Sequence, residues 1–150
     1  MRLTLECYIL LFFTGAFLGW VMEVVCKLIQ FGRFINRGFL IGPYCPIYGF
    51  GAVLVTALLT PFSASPPAVF VLAMAVCGTL EYLTSYAMEK LFHARWWDYS
   101  HRRFNLNGRV CAGTLIPFGL MGLGMVYVAR PVLFGLYLRL PQAWMDGLCL

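Results

Sequence analysis

Residues 68–92, AVFVLAMAVCGTLEYLTSYAMEKLF, decide the fold, because they are apolar through their first half and carry Glu81, Glu89 and Lys90 in the second. About 20 mostly apolar residues suffice for a helix to cross a bilayer. The rest of the chain has the same character, since 61% of its 150 residues are hydrophobic and only 11% are charged. That composition excludes a typical soluble domain and predicts a helical membrane protein.

Three further apolar runs lie on either side of this stretch. Residues 44–62 carry no charge and end at Pro61 and the sequence SASPP, through which a helix cannot continue. Residues 3–22 hold a single charge, Glu6, and a cleavable signal peptide is the alternative there, although no small-residue cleavage site follows. A fourth uncharged run follows Arg109. We therefore predict spans over 3–28, 44–62, 68–92 and 108–129.

The tail, residues 130–150, contains Pro131 and Pro141 together with Arg139 and Asp146. These residues interrupt it too often for a full fifth span, so at most part of one is expected. The predicted fold is an all-α, polytopic transmembrane helical bundle that forms one domain over residues 1–150.

Lysine and arginine concentrate in two of the loops. Loop 29–43 contains Arg33 and Arg37, and loop 93–107 contains Arg95, Arg102 and Arg103, whereas the turn at 63–67 has no basic residue. Because basic loops of membrane proteins face the cytoplasm, both loops are predicted to lie inside.

The two basic loops also resemble each other in sequence. A shift of 71 positions superposes Asn36 on Asn107, Gly42 on Gly113, Pro46 on Pro117 and Gly51 on Gly122. This pattern indicates a parallel two-helix repeat, with its pseudo-twofold axis along the membrane normal. Chance similarity is the alternative, because Gly and Pro are common in membrane helices.

Glu81 is the most unusual residue of the predicted spans. It lies about 13 residues into its span, roughly 20 Å along the helix, and so within the hydrocarbon. A carboxylate there usually faces the bundle interior and is paired or hydrated, and Arg37 and Arg109 are the predicted partners. The predicted substrate site between the two halves consists of Glu81, Arg37, Tyr48, Asn36, Asn107 and Arg109. A purely structural lock between helices is the alternative.

The third loop combines aromatic and charged residues. Trp96, Trp97 and Asp98, with Glu89 at the end of the preceding span, are predicted to lie at headgroup level beside the arginines, where they would contact membrane lipids. Nucleic-acid binding is not predicted, because the loop is short and belongs to a membrane protein. A membrane enzyme that acts on a lipid or isoprenoid headgroup with Glu89, Trp97 and Asp98 is one alternative function.

Metal and cofactor motifs are not found in the sequence. The six cysteines form no Cys-x-x-Cys pair, and the histidines have no second ligand at metal spacing, so neither a metal nor a cofactor is predicted. The sequence also lacks a Gly-x-x-x-x-Gly-Lys-Ser/Thr loop, so the chain does not hydrolyse ATP in the usual way. No catalytic residue can be assigned.

Five motifs together resemble the ABC-transporter type IV family of bacterial membrane proteins. They are Gly19-Trp20-x-x-Glu23, residues 36–49 (NRGFLIGPYCPIYG), Glu81-Tyr82, Trp96-Trp97-Asp98-Tyr99 and Asn105-x-Asn107-Gly108-Arg109. The resemblance implies several membrane spans, a bacterial cytoplasmic membrane and a permease role. It would require a separate ATPase subunit on the cytoplasmic loops.

We therefore expect a small transporter permease subunit with a polar Glu/Arg site. Four helices are few to surround a transport pathway, so we also expect a homodimer. The headgroup enzyme and a non-catalytic subunit of a membrane complex remain the alternatives.

Overall fold

The computed structural model describes residues 2–34 and 42–149, and most of this length is helical. The elements in chain order are α1 (Arg2–Phe31), α2 (Pro46–Leu59), a 3-10 turn (Thr60–Phe62), α3 (Pro66–Phe92), β1 (Asn105–Leu106), β2 (Val110–Cys111), α4 (Ala112–Gly124), a π turn (Met125–Ala129), α5 (Arg130–Tyr137) and α6 (Gln142–Cys149). The chain divides into two compact units. The first is Met1–Val53 with Pro131–Leu150, and the second is Leu54–Arg130.

Three helices of the described residues are long and apolar enough to cross a membrane: Leu5–Phe31, Pro66–Phe92 and Ala112–Tyr137. The predicted span 44–62 forms the shorter apolar helix Pro46–Phe62. At about 1.5 Å per residue this helix is shorter than a hydrocarbon core of about 30 Å. The all-α class is confirmed, whereas the expectation of four full-length spans is not.

The last long helix continues past its predicted end at 129, through Arg130 and Pro131, to Tyr137. Proline normally interrupts a helix because it lacks an N–H and its ring clashes with the carbonyl four residues before it. Here the turn Met125–Ala129 is widened, so that the Arg130 N–H donates to the Met125 carbonyl oxygen. A π turn immediately before the proline relaxes the ladder, and the helix can continue.

In the first unit, glycines bring α1 and α2 into close contact. A Cβ at Gly15 would lie 2.9 Å from the Ala52 Cβ, and one at Gly19 would overlap the Tyr48 ring. The two glycines are four residues apart and therefore share one face of α1, as in the Gly-x-x-x-Gly packing of membrane helices. On the other helix, a Cβ at Gly49 would lie 2.6 Å from the Phe12 carbonyl oxygen.

In the second unit, α3 and α4 pack side by side in antiparallel directions. A Cβ at Gly122 would overlap the Ala73 side chain, and one at Gly119 would lie 2.5 Å from the Phe70 ring. The apolar core of this unit consists of Val55, Leu59, Val69, Ala73 and Val126. Glu81 and Thr114 lie together toward the other end of the same helix pair.

The segment between α3 and α4 folds into a small β-hairpin. Asn105 pairs with Cys111 and Leu106 with Val110. The Arg109 N–H donates to the Leu106 carbonyl oxygen over 3.0 Å, across a turn in which Asn107 and Gly108 have φ of 54° and 69°. Positive φ at both central positions explains why Asn and Gly stand there, since they adopt it at least cost. Arg109 belongs to the turn and has no partner in the strand register, and its guanidinium reaches Ser85 and Glu89 of α3.

The internal repeat stays a prediction. Asn36, the counterpart of Asn107 in the predicted repeat, lies outside the described residues. The superposed prolines occupy different places, because Pro46 is the first residue of α2 whereas Pro117 lies inside α4.

Candidate functional site

Glu81 is buried in the second unit, where only 7% of its surface is exposed. The Tyr99 hydroxyl donates to its Oε1 over 3.2 Å, and the Thr114 hydroxyl lies 3.1 Å from its Oε2. Thr114 stands in the first turn of α4, and Tyr99 stands in the loop before the hairpin. The carboxylate of α3 is thus bound by two hydroxyl groups from two different elements.

Arg109 is also buried in the second unit, with 7% of its surface exposed. Its guanidinium Nη2 lies 2.6 Å from Glu89 Oε2, and Nη1 donates to the Ser85 hydroxyl over 3.2 Å. The same group lies over the rings of Tyr82 and Tyr86, 5.7 and 5.4 Å from their centroids. These cation–π contacts, together with the ion pair, compensate the charge that the hairpin brings against α3.

Backbone contacts hold the same loop in place. The Trp97 indole N–H donates to the Arg109 carbonyl oxygen over 3.0 Å, and the Tyr99 N–H donates to the Gly108 carbonyl oxygen over 2.7 Å. A Cβ at Gly108 would lie 2.5 Å from Asp98 Oδ1, so the loop approaches the turn too closely for any side chain there.

Two exposed charged residues of the loop, Arg95 and Asp98, also make polar contacts. Arg95 Nε donates to Glu89 Oε2 over 3.0 Å, so Glu89 binds two arginines at once. Asp98 Oδ1 accepts hydrogen bonds from the Ser100 hydroxyl (2.6 Å) and the Ser100 N–H (2.9 Å). The Ser100 hydrogen bonds lower the pKa of Asp98, and the contact with Glu89 raises the pKa of Arg95. Both groups therefore remain charged at neutral pH.

Asn107 extends the polar cluster to the hairpin tip. Its side-chain amide donates to the Tyr82 hydroxyl over 2.9 Å, and both groups lie at the edge of the unit. In the first unit, Tyr48 donates through its hydroxyl to Glu23 Oε1 over 2.6 Å.

The structure corrects one of the two predicted partners of Glu81. Arg109 does not pair with Glu81, because the hairpin places its guanidinium on Ser85 and Glu89, one and two turns further along α3. Among the predicted site residues, Glu81, Asn107 and Arg109 belong to the second unit and Tyr48 to the first. Asn36 and Arg37 lie outside the described residues.

The predicted interfacial group divides in two. Trp96 is exposed, whereas Trp97, Asp98 and Glu89 make the loop contacts given above. The sequence reasoning missed Tyr99, Thr114 and the hairpin. An Asn-Gly pair between short β-compatible residues is a hairpin signal that could have found the last of these. In the described part of the chain, no three His, Cys, Asp or Glu residues cluster as metal ligands.

The described residues contain three long apolar helices, and one of them, α3, carries the polar cluster. These features define a multi-span α-helical membrane protein. The family model described as "Putative ABC-transporter type IV" matches residues 10–150, and the chain belongs to that family. The resemblance of the five sequence motifs is thereby confirmed. No curated protein and no solved structure matches the chain.

Proposed function

We propose that the chain is the membrane-spanning subunit of an ABC-type transporter in a bacterial cytoplasmic membrane, and that Glu81 receives the polar group of the solute. The burial of Glu81 carries this proposal. Its carboxylate lies on an apolar helix with two neutral hydroxyls as partners, and no cation contacts it among the described residues of its unit. A carboxylate can accept about four hydrogen bonds, so acceptor capacity remains. Ionisable groups within spans commonly mark solute paths.

The loop between α3 and α4 is the proposed point of coupling to ATP. The sequence has no ATP-binding loop, so hydrolysis would come from a separate ATPase subunit that docks on this side. Tyr99 belongs to the loop and bonds directly to Glu81. A partner that displaced the loop would therefore change the hydrogen bonding of the buried carboxylate.

The other predicted site residues receive different roles. Asn107 would supply a second polar group, because its amide is exposed at the hairpin tip. Arg109 is a positioning residue, since it neutralises Glu89 and holds the hairpin on α3. Asn36, Arg37 and Tyr48 stay predictions, as does the homodimer.

The contacts favour transport over a headgroup enzyme. Glu89 binds two arginines, Asp98 binds Ser100, and Trp97 binds a backbone carbonyl. The residues that would have supplied acid and base chemistry at headgroup depth thus have structural contacts in the loop. A general acid or base has to reach the substrate instead.

Glu81→Gln tests the proposal. The full chain is reconstituted in vesicles together with the ATPase that co-purifies with it, and the compounds that accumulate on addition of ATP are identified by mass spectrometry. We expect Glu81→Gln to abolish ATP-dependent accumulation, since the amide keeps the shape of the side chain and loses its charge. Glu6→Gln is the matched control, because Glu6 is a buried carboxylate of a long apolar helix in the first unit, and it should retain transport.

Folding is checked by circular dichroism and gel filtration in detergent. Accumulation by Glu81→Gln at the wild-type rate would refute the solute-binding role. Co-purification with an ATPase without accumulation of any compound would favour the non-catalytic subunit instead.

A further inference from the structure

An apolar groove lies along one face of α3 in the second unit. Its wall on α3 includes Val71, Ala75, Gly78 and Tyr82, which recur every three or four residues and so share one face of the helix. Leu106 of the hairpin and Leu115 of α4 complete it, and its volume is about 480 Å³. That volume is typical of a site for a single small ligand.

We propose that this groove binds one acyl chain of a membrane lipid with an anionic headgroup. The site goes beyond the transport role, because it would hold a lipid whichever solute the protein moves. Three observations support the proposal: the length of the groove, the chemistry of its lining, and the charge of the loop at its end.

The groove has the length of one leaflet. Its residues on α3 extend over 71–83, which at about 1.5 Å per residue is roughly 18 Å, close to half of a hydrocarbon core of about 30 Å. The whole stretch lies within the apolar helix Pro66–Phe92. In a membrane the groove would therefore face acyl chains rather than water.

The lining suits a hydrocarbon chain. Apart from Thr79 and Tyr82, the side chains that line the groove are aliphatic or thioether groups. Gly78 lets Leu115 of α4 pack closely against α3 and form a wall of the groove, because a Cβ there would lie 2.5 Å from Leu115 Cδ2. An acyl chain in the groove gains dispersion contacts with these side chains.

The end of the groove at the hairpin is polar and cationic. Tyr82 and Leu106 line it, and Asn107 follows Leu106 and donates to the Tyr82 hydroxyl. Arg102 and Arg103, three residues and more before Leu106, are exposed. Asp98 is the acidic residue of loop 93–107 and lies 3.5 Å from Arg95 Nη1, so Arg102 and Arg103 leave the loop with a net positive charge that complements a phosphate headgroup.

Phe104 supports the same orientation toward lipid. Its backbone has a φ of 53° and its ring is 86% exposed. A bulky residue rarely adopts the left-handed conformation, and here no burial within the protein compensates the strain. Beside two arginines, this ring is placed to insert at headgroup level, as aromatic residues do at membrane interfaces.

The test compares two alanine-to-tryptophan variants of α3. Ala75→Trp fills the groove, whereas Ala87→Trp places the same side chain on an exposed position of α3 that does not line it. The full chain in detergent micelles is titrated with phosphatidylglycerol, phosphatidylcholine or glycerol 3-phosphate, and bound lipid is counted by native mass spectrometry.

We expect one saturable phosphatidylglycerol per chain in the wild type and in Ala87→Trp. Binding should weaken at least about tenfold in Ala75→Trp, which corresponds to the loss of roughly two buried methylenes. Replacing Arg102 and Arg103 by Gln should reduce the affinity for phosphatidylglycerol to that for phosphatidylcholine. Glycerol 3-phosphate should not displace the lipid, because the acyl chain provides the affinity.

Three outcomes would overturn the proposal. Equal lipid binding by both tryptophan variants would show that the lipid does not bind in the groove. Displacement by glycerol 3-phosphate would show a phosphate site instead. A dimer that Ala75→Trp dissociates would show that a second copy covers the groove.

A second measurement needs no variant, so it remains decisive if Ala75→Trp does not fold. Phosphatidylglycerol with a photoreactive acyl chain is cross-linked to the wild-type chain in vesicles. We expect labelled peptides from 71–83 and 106–115. Labelling spread evenly over all apolar helices would refute a specific site.

Discussion

The two units each bring a tyrosine hydroxyl to a helix carboxylate, but from different places. In the first unit, Tyr48 of α2 donates to Glu23 of α1, so one helix binds its neighbour directly. In the second, Tyr99 of the loop donates to Glu81 of α3. The first contact joins two helices, whereas the second joins a helix to the segment that connects it to the next. The same pair of groups can therefore be a helix lock or a loop clamp, depending on the element that carries the tyrosine.

The clamp of the second unit depends most on Arg109, and Arg109→Met is expected to have the largest effect on stability. It leaves Glu89 without its closest cation and removes the hydrogen bond to Ser85 and two ring contacts. Loss of one partner from a buried pair costs about 3–5 kcal/mol, and since Glu89 is partly exposed we expect about 2–4 kcal/mol here. The free energy of unfolding is measured in detergent micelles by denaturant titration.

Arg103→Met is the matched control, because Arg103 is an exposed arginine of the same loop. It should change the free energy of unfolding by no more than about 0.5 kcal/mol. Adding Glu89→Gln to Arg109→Met should recover part of the loss, since the Glu89 carboxylate would otherwise keep its charge with only the exposed Arg95 as its cation. Similar values for Arg109→Met and Arg103→Met would show that the ion pair does not hold the hairpin.

The two tyrosines give the direct test of lock against clamp. Tyr99→Phe and Tyr48→Phe each remove one hydroxyl that donates to a carboxylate, at an expected cost of about 1–2 kcal/mol. The location of the effect should differ. Tyr99→Phe should accelerate amide hydrogen exchange in the hairpin segment 95–111, whereas Tyr48→Phe should leave that segment unchanged.

Hydrogen exchange of the full chain in micelles, read by mass spectrometry, separates the two outcomes. If Tyr48→Phe accelerated exchange in 95–111 as much as Tyr99→Phe does, the loop would not be clamped through Glu81 in particular.

The long helices could be predicted from sequence because an apolar run is a local property. Glu81 was recognised for the same reason, as a carboxylate within such a run. Its partners could not be found in that way, because Tyr99 and Thr114 lie 18 and 33 positions away. They reach it only because the loop folds back along α3, which the hairpin turn at Asn107 and Gly108 brings about.

The two differences in helix length have separate physical causes. Residues 44–62 lack charge, but the helix covers only Pro46–Phe62. A proline is favoured in the first turn of a helix, and the sequence SASPP stops the helix at its other end. At the other end of the chain, Pro131 predicted a stop, and a π turn before it lets the helix continue. Apolar composition predicts where a helix is stable in a membrane, whereas its ends depend on backbone hydrogen bonds that only the folded chain reveals.

The smallest expected effect concerns the outer edge of the clamp and the ionisation of Asp98. The Ser100 hydroxyl and N–H bind its carboxylate, with Arg95 and His101 as weaker favourable charges, and lower its pKa below the ordinary value of 3.8. A group whose pKa is lowered by folding stabilises the fold at neutral pH, and the contribution is lost as the pH falls through the folded pKa. The Asp98–Ser100 contact should therefore survive until the pH is below 3.8.

Carboxyl ¹³C chemical shifts of Asp98 in micelles measure this titration. Ser100→Ala should raise the pKa of Asp98 toward its ordinary value of 3.8, because it removes the hydroxyl donor. Arg95→Gln should raise it less, since Arg95 Nη1 lies 3.5 Å away whereas the Ser100 hydroxyl lies 2.6 Å away. The reverse order would mean that the Arg95 charge, rather than the turn at Ser100, keeps Asp98 ionised, and the outer edge of the clamp would then be an ion pair like its centre at Arg109.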